Sequence, residues 1–232
     1  MSANALSNIN HDTKDFSFLG GVKRLLTRAR QLHVTGVKRK TVKEYIQSKQ
    51  AYTLQKPVRR CFTKYHIYMV RLDAQWQADF ADMEGIAMQN NGMKYILTVI
   101  DVFSKFAWVV PVYFKNAKAI TAAFRQLLIA AKLRHHRRLQ TDNGKEFFNS
   151  KFYSLIKRHC IQYFASESEQ KATVVERFNR TIKTRIWTYM IDCNTVSWIN
   201  VIKDLVDAYK HSNHRFIGMV PADVQKKNDN RL

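Results

Sequence analysis

Asp79, Asp142 and Glu176 are the residues of this chain whose types and settings point to chemistry. Asp79 stands in a strand-like run, Trp76-Gln77-Ala78-Asp79-Phe80-Ala81. Asp142 closes another, Leu139-Gln140-Thr141-Asp142, and meets the turn Asn143-Gly144. Glu176 lies early in a helical stretch over residues 174–183. A carboxylate in a buried-looking strand is costly unless it is paired or bound to a cation. Three that converge repel one another, and all remain ionised together only beside a metal. In a basic protein such a set points to a hard divalent cation and a phosphodiester substrate. Two ions about 3.5–4 Å apart would activate the nucleophile and stabilise the leaving oxygen; they require one bridging carboxylate and one more for each ion. Any one of the three, taken alone, is better read as an ordinary surface carboxylate.

The elements that must position these groups follow from the hydrophobic pattern. Strands are expected at residues 76–83, 95–101 and 106–112, with Asn90-Asn91-Gly92 marking a turn between the first two. A helix over 117–133 places Ile120, Ala123, Phe124, Leu127, Leu128 and Ala131 on one face. A strand ending at Asp142, a helix near 149–159, a strand at 161–165, the Glu176 helix and a helix at 197–211 complete the order. This order, β-β-β-α-β-α-β-α, predicts an α/β layer fold with a mixed sheet. The first and fourth strands, commonly neighbours, would set Asp79 beside Asp142, with Glu176 approaching from a helix over their edge. On that helix Glu176, Asn179, Arg180 and Lys183 fall at i, i+3, i+4 and i+7, one polar face, and Phe178, Ile182, Ile186 and Tyr189 form the other. The plain alternative for that face is a solvated charged surface.

Charge decides the partner class. Thirty-nine Lys and Arg stand against 18 Asp and Glu, a formal net charge of +21. Residues 1–66 hold 14 basic and 3 acidic residues, and residues 67–232 hold 25 and 15, so a basic tail alone is not the source. Phosphate neutralisation and counterion release make nucleic acid the natural partner. A membrane is not expected: no run approaches the roughly 18 apolar residues of a spanning helix, and the start shows no secretory pattern. Cys61, Cys160 and Cys193 are odd in number and far apart, which suits an intracellular chain and gives no zinc-finger spacing.

Three divisions are expected along the chain. Residues 1–16 are polar and unpatterned, a disordered lead-in. Residues 17–66 form a basic helical segment, with helices near 22–33 and from a capping box at Thr41-Val42-Lys43-Glu44. The turn through Gly36 between them is suggestive of a DNA-binding helix-turn-helix. A basic linker, Lys56-Pro57-Val58-Arg59-Arg60, leads to a core over 67–232.

Four blocks then carry a resemblance. These are 76–79 (WQAD), 95–105 (YILTVIDVFSK), 140–147 (QTDNGKEF) and 175–181 (VERFNRT). Together they resemble the catalytic core of retroviral-type integrases, and more closely the integrases of Polinton (Maverick) transposons, over roughly residues 67–226. The resemblance implies an RNase H-like fold with a five-stranded sheet. It implies Asp79, Asp142 and Glu176 as a catalytic triad binding Mg²⁺ or Mn²⁺, two ions in the active complex. It further implies contacts to DNA from Asn143, Gly144, Lys145, Asn179, Arg180 and Lys183, work as a homo-oligomer on element ends and target DNA, and a nuclear location. Asp142 and Glu176 are 34 positions apart, slightly short of the retroviral spacing. The zinc-binding His/Cys module of retroviral integrases has no counterpart, since no cysteine precedes Cys61, and no basic barrel or chromodomain follows the core within this sequence. The competing functions are a nuclease of the same fold and a domesticated DNA-binding protein without catalysis.

Overall fold

In the computed structural model, residues 2–54, 69, 71–131, 134, 137–142, 144, 146–165 and 172–224 are described. The chain falls into two compact units: Met1–His66 with Ile182–Ser212, and Ile67–Thr181 with Asn213–Leu232.

The second unit is built on five strands: β1 (Gln75–Asp82), β2 (Tyr95–Asp101), β3 (Ala107–Val112), β4 (Arg138–Thr141) and β5 (Gln162–Ala165). Their order is β3-β2-β1-β4-β5. β1 pairs antiparallel with β2 and parallel with β4; β2–β3 is antiparallel and β4–β5 parallel. The expected mixed sheet is therefore present, with β1 at its centre and β4 at its side. Asn91 and Gly92 turn the chain between β1 and β2 with φ of 54° and 76°, which is why a glycine is needed there.

Alternation along β1 sorts the layers. Trp76, Ala78 and Phe80 face a core shared with Ile120, Phe124 and Leu127 of α5 (Ala117–Ala131) and with Phe152 and Leu155 of α6 (Ser150–Arg158). Trp76 and Trp108 pack there with ring centroids 4.3 Å apart. Asn149 caps α6 by accepting a hydrogen bond from the Phe152 N–H at 2.8 Å. The opposite face of β1 carries Gln77 and Asp79, and the long helix α7 (Thr173–Asp192) brings its first turns to them.

At the far end of β2, Arg134 fastens two acids. Its Nε donates to both oxygens of Asp73 at 2.9 and 3.1 Å, and one terminal nitrogen reaches Asp101 at 3.2 Å and the Ser104 hydroxyl at 3.0 Å. The guanidinium also lies over the rings of Phe106 and Trp108. The stretch 134–138 thus begins with a structural arginine; His135 and His136 lie outside the described residues.

In the first unit α1 (Ser2–His11), α2 (Val22–Gln31) and α3 (Arg39–Ser48) gather Leu6, Ile9, Leu25, Leu26, Ala29, Val42 and Ile46 into a small core, followed by α4 (Gln50–Leu54). The expected disordered lead-in is instead a helix. Only Leu6 and Ile9 anchor it, too few apolar residues to show a period in the sequence. Two helices about Gly36 are present as expected, but α3 starts two residues before Thr41, so the capping box does not form: Lys38 takes the cap position and makes no side-chain cap bond. The end of α2 is closed by His33 at φ 51°, with the Val34 N–H returning to the Ala29 carbonyl. The expected division at residue 66 is met by a different grouping, because 182–212, with the second half of α7 and α8 (Ile202–Lys210), cluster with the leading segment. Phe18 meets Tyr189 edge-on at 6.3 Å, and His11 pairs with Asp192. The linker 56–60 lies outside the described residues.

Asp101 is fully buried, and desolvation holds its carboxyl up to about 6 even beside Arg134. Arg134→Ala leaves two buried acids without their cation and is expected to cost about 3–5 kcal/mol of stability. A urea melt at neutral pH checks this; a loss below about 1 kcal/mol would mean that the acids find another partner.

Candidate active site

A repeated Gln-x-Asp places the site. Gln77 and Asp79 share one face of β1, as Gln140 and Asp142 do at the end of β4, because residues two apart on a strand point the same way. Gln77 and Gln140 are register partners in the parallel β1–β4 pair. Asp142 follows directly on the end of β4, close enough to Asp79 to act on its charge.

The glutamines are held in a buried amide chain. Gln75 and Gln77 both donate through Nε2 to Oε1 of Gln140, at 2.7 and 2.8 Å. Oε1 of Gln77 accepts the backbone N–H groups of Val174 and Val175 at 3.0 and 3.1 Å. These are donors that the first turn of a helix leaves without intrahelical partners. A strand residue 97 positions upstream therefore does the work of a local N-cap. It fixes the first turn of α7, in which Glu176 stands exposed. Its carboxylate is favoured there by the positive end of the helix dipole.

Asp79 is half-buried and tightly oriented. Oδ1 accepts the Phe80 N–H at 2.7 Å, and Oδ2 accepts Nδ2 of Asn179 at 2.7 Å. Oδ1 of Asn179 in turn accepts the Thr98 hydroxyl at 2.6 Å. This order fixes the amide, since the reverse would set its carbonyl against a carboxylate. Thr98 is the register partner of Asp79 on β2, so two strands and α7 converge on one carboxylate. Burial is the main cause that pushes Asp79 up to about 6, and the nearby negative charges of Asp142 and Glu176 add to it. The three predicted acids thus act on one another electrostatically. Among the described residues no group of three His, Cys, Asp or Glu side chains is gathered closely enough to hold a metal ion. Mutual repulsion keeps like charges apart when no cation lies between them.

The remaining predicted residues divide. Asn179 is buried and turns its amide to Asp79 and Thr98, so it orients a carboxylate. Gly144 is half-buried, with its N–H 3.3 Å from Oδ1 of Asp142. A Cβ on Gly144 would lie 2.6 Å from the carboxyl carbon of Glu146, so only a bare backbone lets that carboxylate rest there. Arg180 is exposed on α7; Lys183 is half-buried on its continuation in the first unit. Asn143 and Lys145 lie outside the described residues. The positioning residues Gln77, Gln140 and Thr98 were not singled out from the sequence. A glutamine two residues before each aspartate is a signal that could have found Gln77 and Gln140; Thr98 is set by its pairing with Asp79 across strands, which the sequence does not show.

The arrangement of sheet and crossover helices is that of an RNase H-like fold, as found in retroviral integrase catalytic cores. Residues 71–171 match the integrase core domain family. An uncharacterized transposon-derived protein of Caenorhabditis elegans is 30% identical over 141 residues, covering 59% of this chain and 48% of that protein. The Pol polyprotein of radiation murine leukemia virus (strain Kaplan) is 29% identical over 134 residues, 56% of this chain and 22% of the polyprotein. The chain therefore spans about half of the first relative and a smaller part of the second. Among solved structures, the HTLV-2 integrase catalytic core domain in complex with magnesium superposes with a TM-score of 0.54 at 20% identity, over 66% of this chain and 97% of that one. The simian T-cell lymphotropic virus intasome in complex with PP2A regulatory subunit B56 gamma gives 0.59 at 15% identity, over 96% and 73%.

Two outcomes follow from the geometry. Replacing Gln77 by Leu strands two helix N–H groups, and is expected to cost about 2–4 kcal/mol in a denaturant melt; an unchanged midpoint would show that water or another group caps α7. The folded chain holds the Asp79 proton more tightly than the unfolded chain does. Its contribution to stability is therefore greatest at low pH and falls as pH rises through about 6. In metal-free buffer Asp79→Asn should stabilise the protein at pH 7.5, by about 1 kcal/mol after allowance for partial exposure, and change little at pH 4. Equal melting temperatures at both pH values would contradict the burial and repulsion ascribed to this group.

Proposed function

We propose that this protein is a metal-dependent DNA strand transferase of integrase type, which processes the ends of a mobile element and joins them to target DNA. The observation that carries this is the coupling of Asp79 on β1 to Asp142, just past the end of β4, and to Glu176 in the first turn of α7, the last two raising the cost of ionising the first. The donor set is all carboxylate oxygen, which suits Mg²⁺ or Mn²⁺ and not the nitrogen and sulfur preference of zinc. Asp79, Asp142 and Glu176 would hold the ions, which would relieve the burial and repulsion that oppose ionisation of Asp79. Bound there, a pair of divalent ions would lower the pKa of an attacking hydroxyl and stabilise the leaving oxygen.

The reaction is an in-line displacement at phosphorus. Water attacks in end processing and a 3′-hydroxyl in joining; one P–O bond forms and one breaks, so no oxidant or nucleotide cofactor is needed. The chain's own contribution is orientation. Asn179 and the Phe80 N–H fix the two oxygens of Asp79, and Gln77 fixes the helix start that carries Glu176. Arg180 and Lys183 on α7, with Asn143, Gly144 and Lys145 beside Asp142, are the proposed DNA contacts. The basic segment 17–66 is proposed to hold DNA as well, through α2 and α3. An origin in a Polinton-type element, work as an oligomer on DNA and a nuclear location are part of the same proposal; the transposon-derived relative fits an origin in a mobile element.

A labelled terminal-repeat duplex incubated with target plasmid and Mg²⁺ tests the reading. The wild-type chain should form joined product, and Asp79→Asn should form none while binding DNA within about three-fold, since one charge hardly alters a net +21. Joining by the variant at the wild-type level would refute the assignment. Arg180→Ala or Lys183→Ala should each reduce the slope of log affinity against log salt by about one; unchanged slopes would place both side chains away from phosphate.

A further inference from the structure

A second charged feature lies on the other face of the sheet. α5 and α6 form a groove of about 430 Å³ lined by Lys118, Arg125, Lys151 and Arg158, with small side chains such as Ala122 and Ser154 between them. All four cations are exposed, and among the described residues none has a carboxylate partner. Lys118 and Arg125 are seven residues apart on α5, as are Lys151 and Arg158 on α6. Seven residues are two helical turns, about 10.5 Å.

Topology aligns the two rows. β3 is antiparallel to β2, which is antiparallel to β1, so β3, β1, β4 and β5 all run the same way. α5 connects β3 to β4 and α6 connects β4 to β5, so both helices return in the same direction. Lys118 and Lys151 each stand second in their helix, and Arg125 and Arg158 follow two turns on.

We propose that this groove binds the phosphate backbone of duplex DNA, as a surface separate from the carboxylate site. Each strand of a duplex presents one phosphate per about 3.4 Å of axis, so a segment lying along the groove brings several within reach of both rows. Protein partners favour a groove with an aromatic or aliphatic anchor site. Here the one large apolar lining residue, Leu155, is buried in the core beneath, which leaves charge as the means of recognition. Asp79 lies on the opposite face of β1 from the residues that α5 and α6 cover, so a segment in this groove is not the segment at the carboxylates. The partner is the same polymer as in the reading above, but the groove does not depend on that reading.

Fluorescence anisotropy in EDTA, with a labelled duplex of random sequence, tests the proposal without any chemistry. The full-length chain carrying Lys151→Glu with Arg158→Glu, and separately Lys118→Gln with Arg125→Gln, is compared with the wild type across a salt series. Each pair is expected to lower affinity at least about ten-fold near 0.1 M salt and to reduce the salt slope by about two. A thermal melt checks that both variants fold, and the neutral pair serves if the reversed pair does not. Unchanged affinity and slope in a folded variant overturns the proposal. Retained DNA affinity with loss of binding to a labelled polyglutamate probe would also overturn it, in favour of an acidic protein partner. Loss of joining by Asp79→Asn bears on the carboxylates alone, so the two ideas fail separately.

Discussion

The amide of Gln77 is the contact on which the site depends. It lies fully buried in the central strand, donates to Gln140 on the neighbouring strand and accepts the first free N–H groups of α7. Two strands and a helix are thereby locked in one register by a single side chain. Each of those three elements carries one of the acids. A buried amide left unsatisfied costs about 1–3 kcal/mol, so the alternative arrangements in which α7 slides or the strands shift are disfavoured together. The site is thus set by hydrogen bonding in the layer beneath it, before any ion or substrate arrives.

The same layer explains why Asp79 differs from its neighbours. It is the acid nearest the sheet interior, held by Phe80 and Asn179, and its ionisation is opposed by burial and by two negative groups. Exposed Asp142 and Glu176 lie at the rim, one at a strand end and one at a helix start. A site with one oriented, reluctant carboxylate and two more accessible ones is suited to a cation that completes it. The opposite face of the sheet is closed by Trp76, Phe124 and Phe152 and is wholly structural up to the helix surfaces that bear the cationic groove.

Much of the unit built on the sheet was legible because its signals are local. Continuous apolar residues mark β2, a clear 3.6-residue stripe marks α5, and Asn91-Gly92 marks the turn, each within one or two residues of the observed element. The acids were legible as carboxylates in apolar surroundings. What escaped the sequence was long-range pairing. Gln77 caps a helix 97 positions away, and Asn179 sits on the polar face of α7 but turns inward to Asp79. Spacing gives a face and not what the face meets, so Asn179 was grouped with Arg180 and Lys183. The helix α1 was missed because two apolar residues show no period, and the grouping of 182–212 with the leading helices has no local signature.

Anomalous scattering from crystals soaked in Mn²⁺ tests most directly whether these acids form one metal site. A peak within about 2.0–2.3 Å of an oxygen of Asp79, shared with Asp142 or Glu176, is the result expected for hard oxygen ligands. Manganese bound elsewhere at saturating concentration, with the three carboxylates left free of it, would contradict the site proposed.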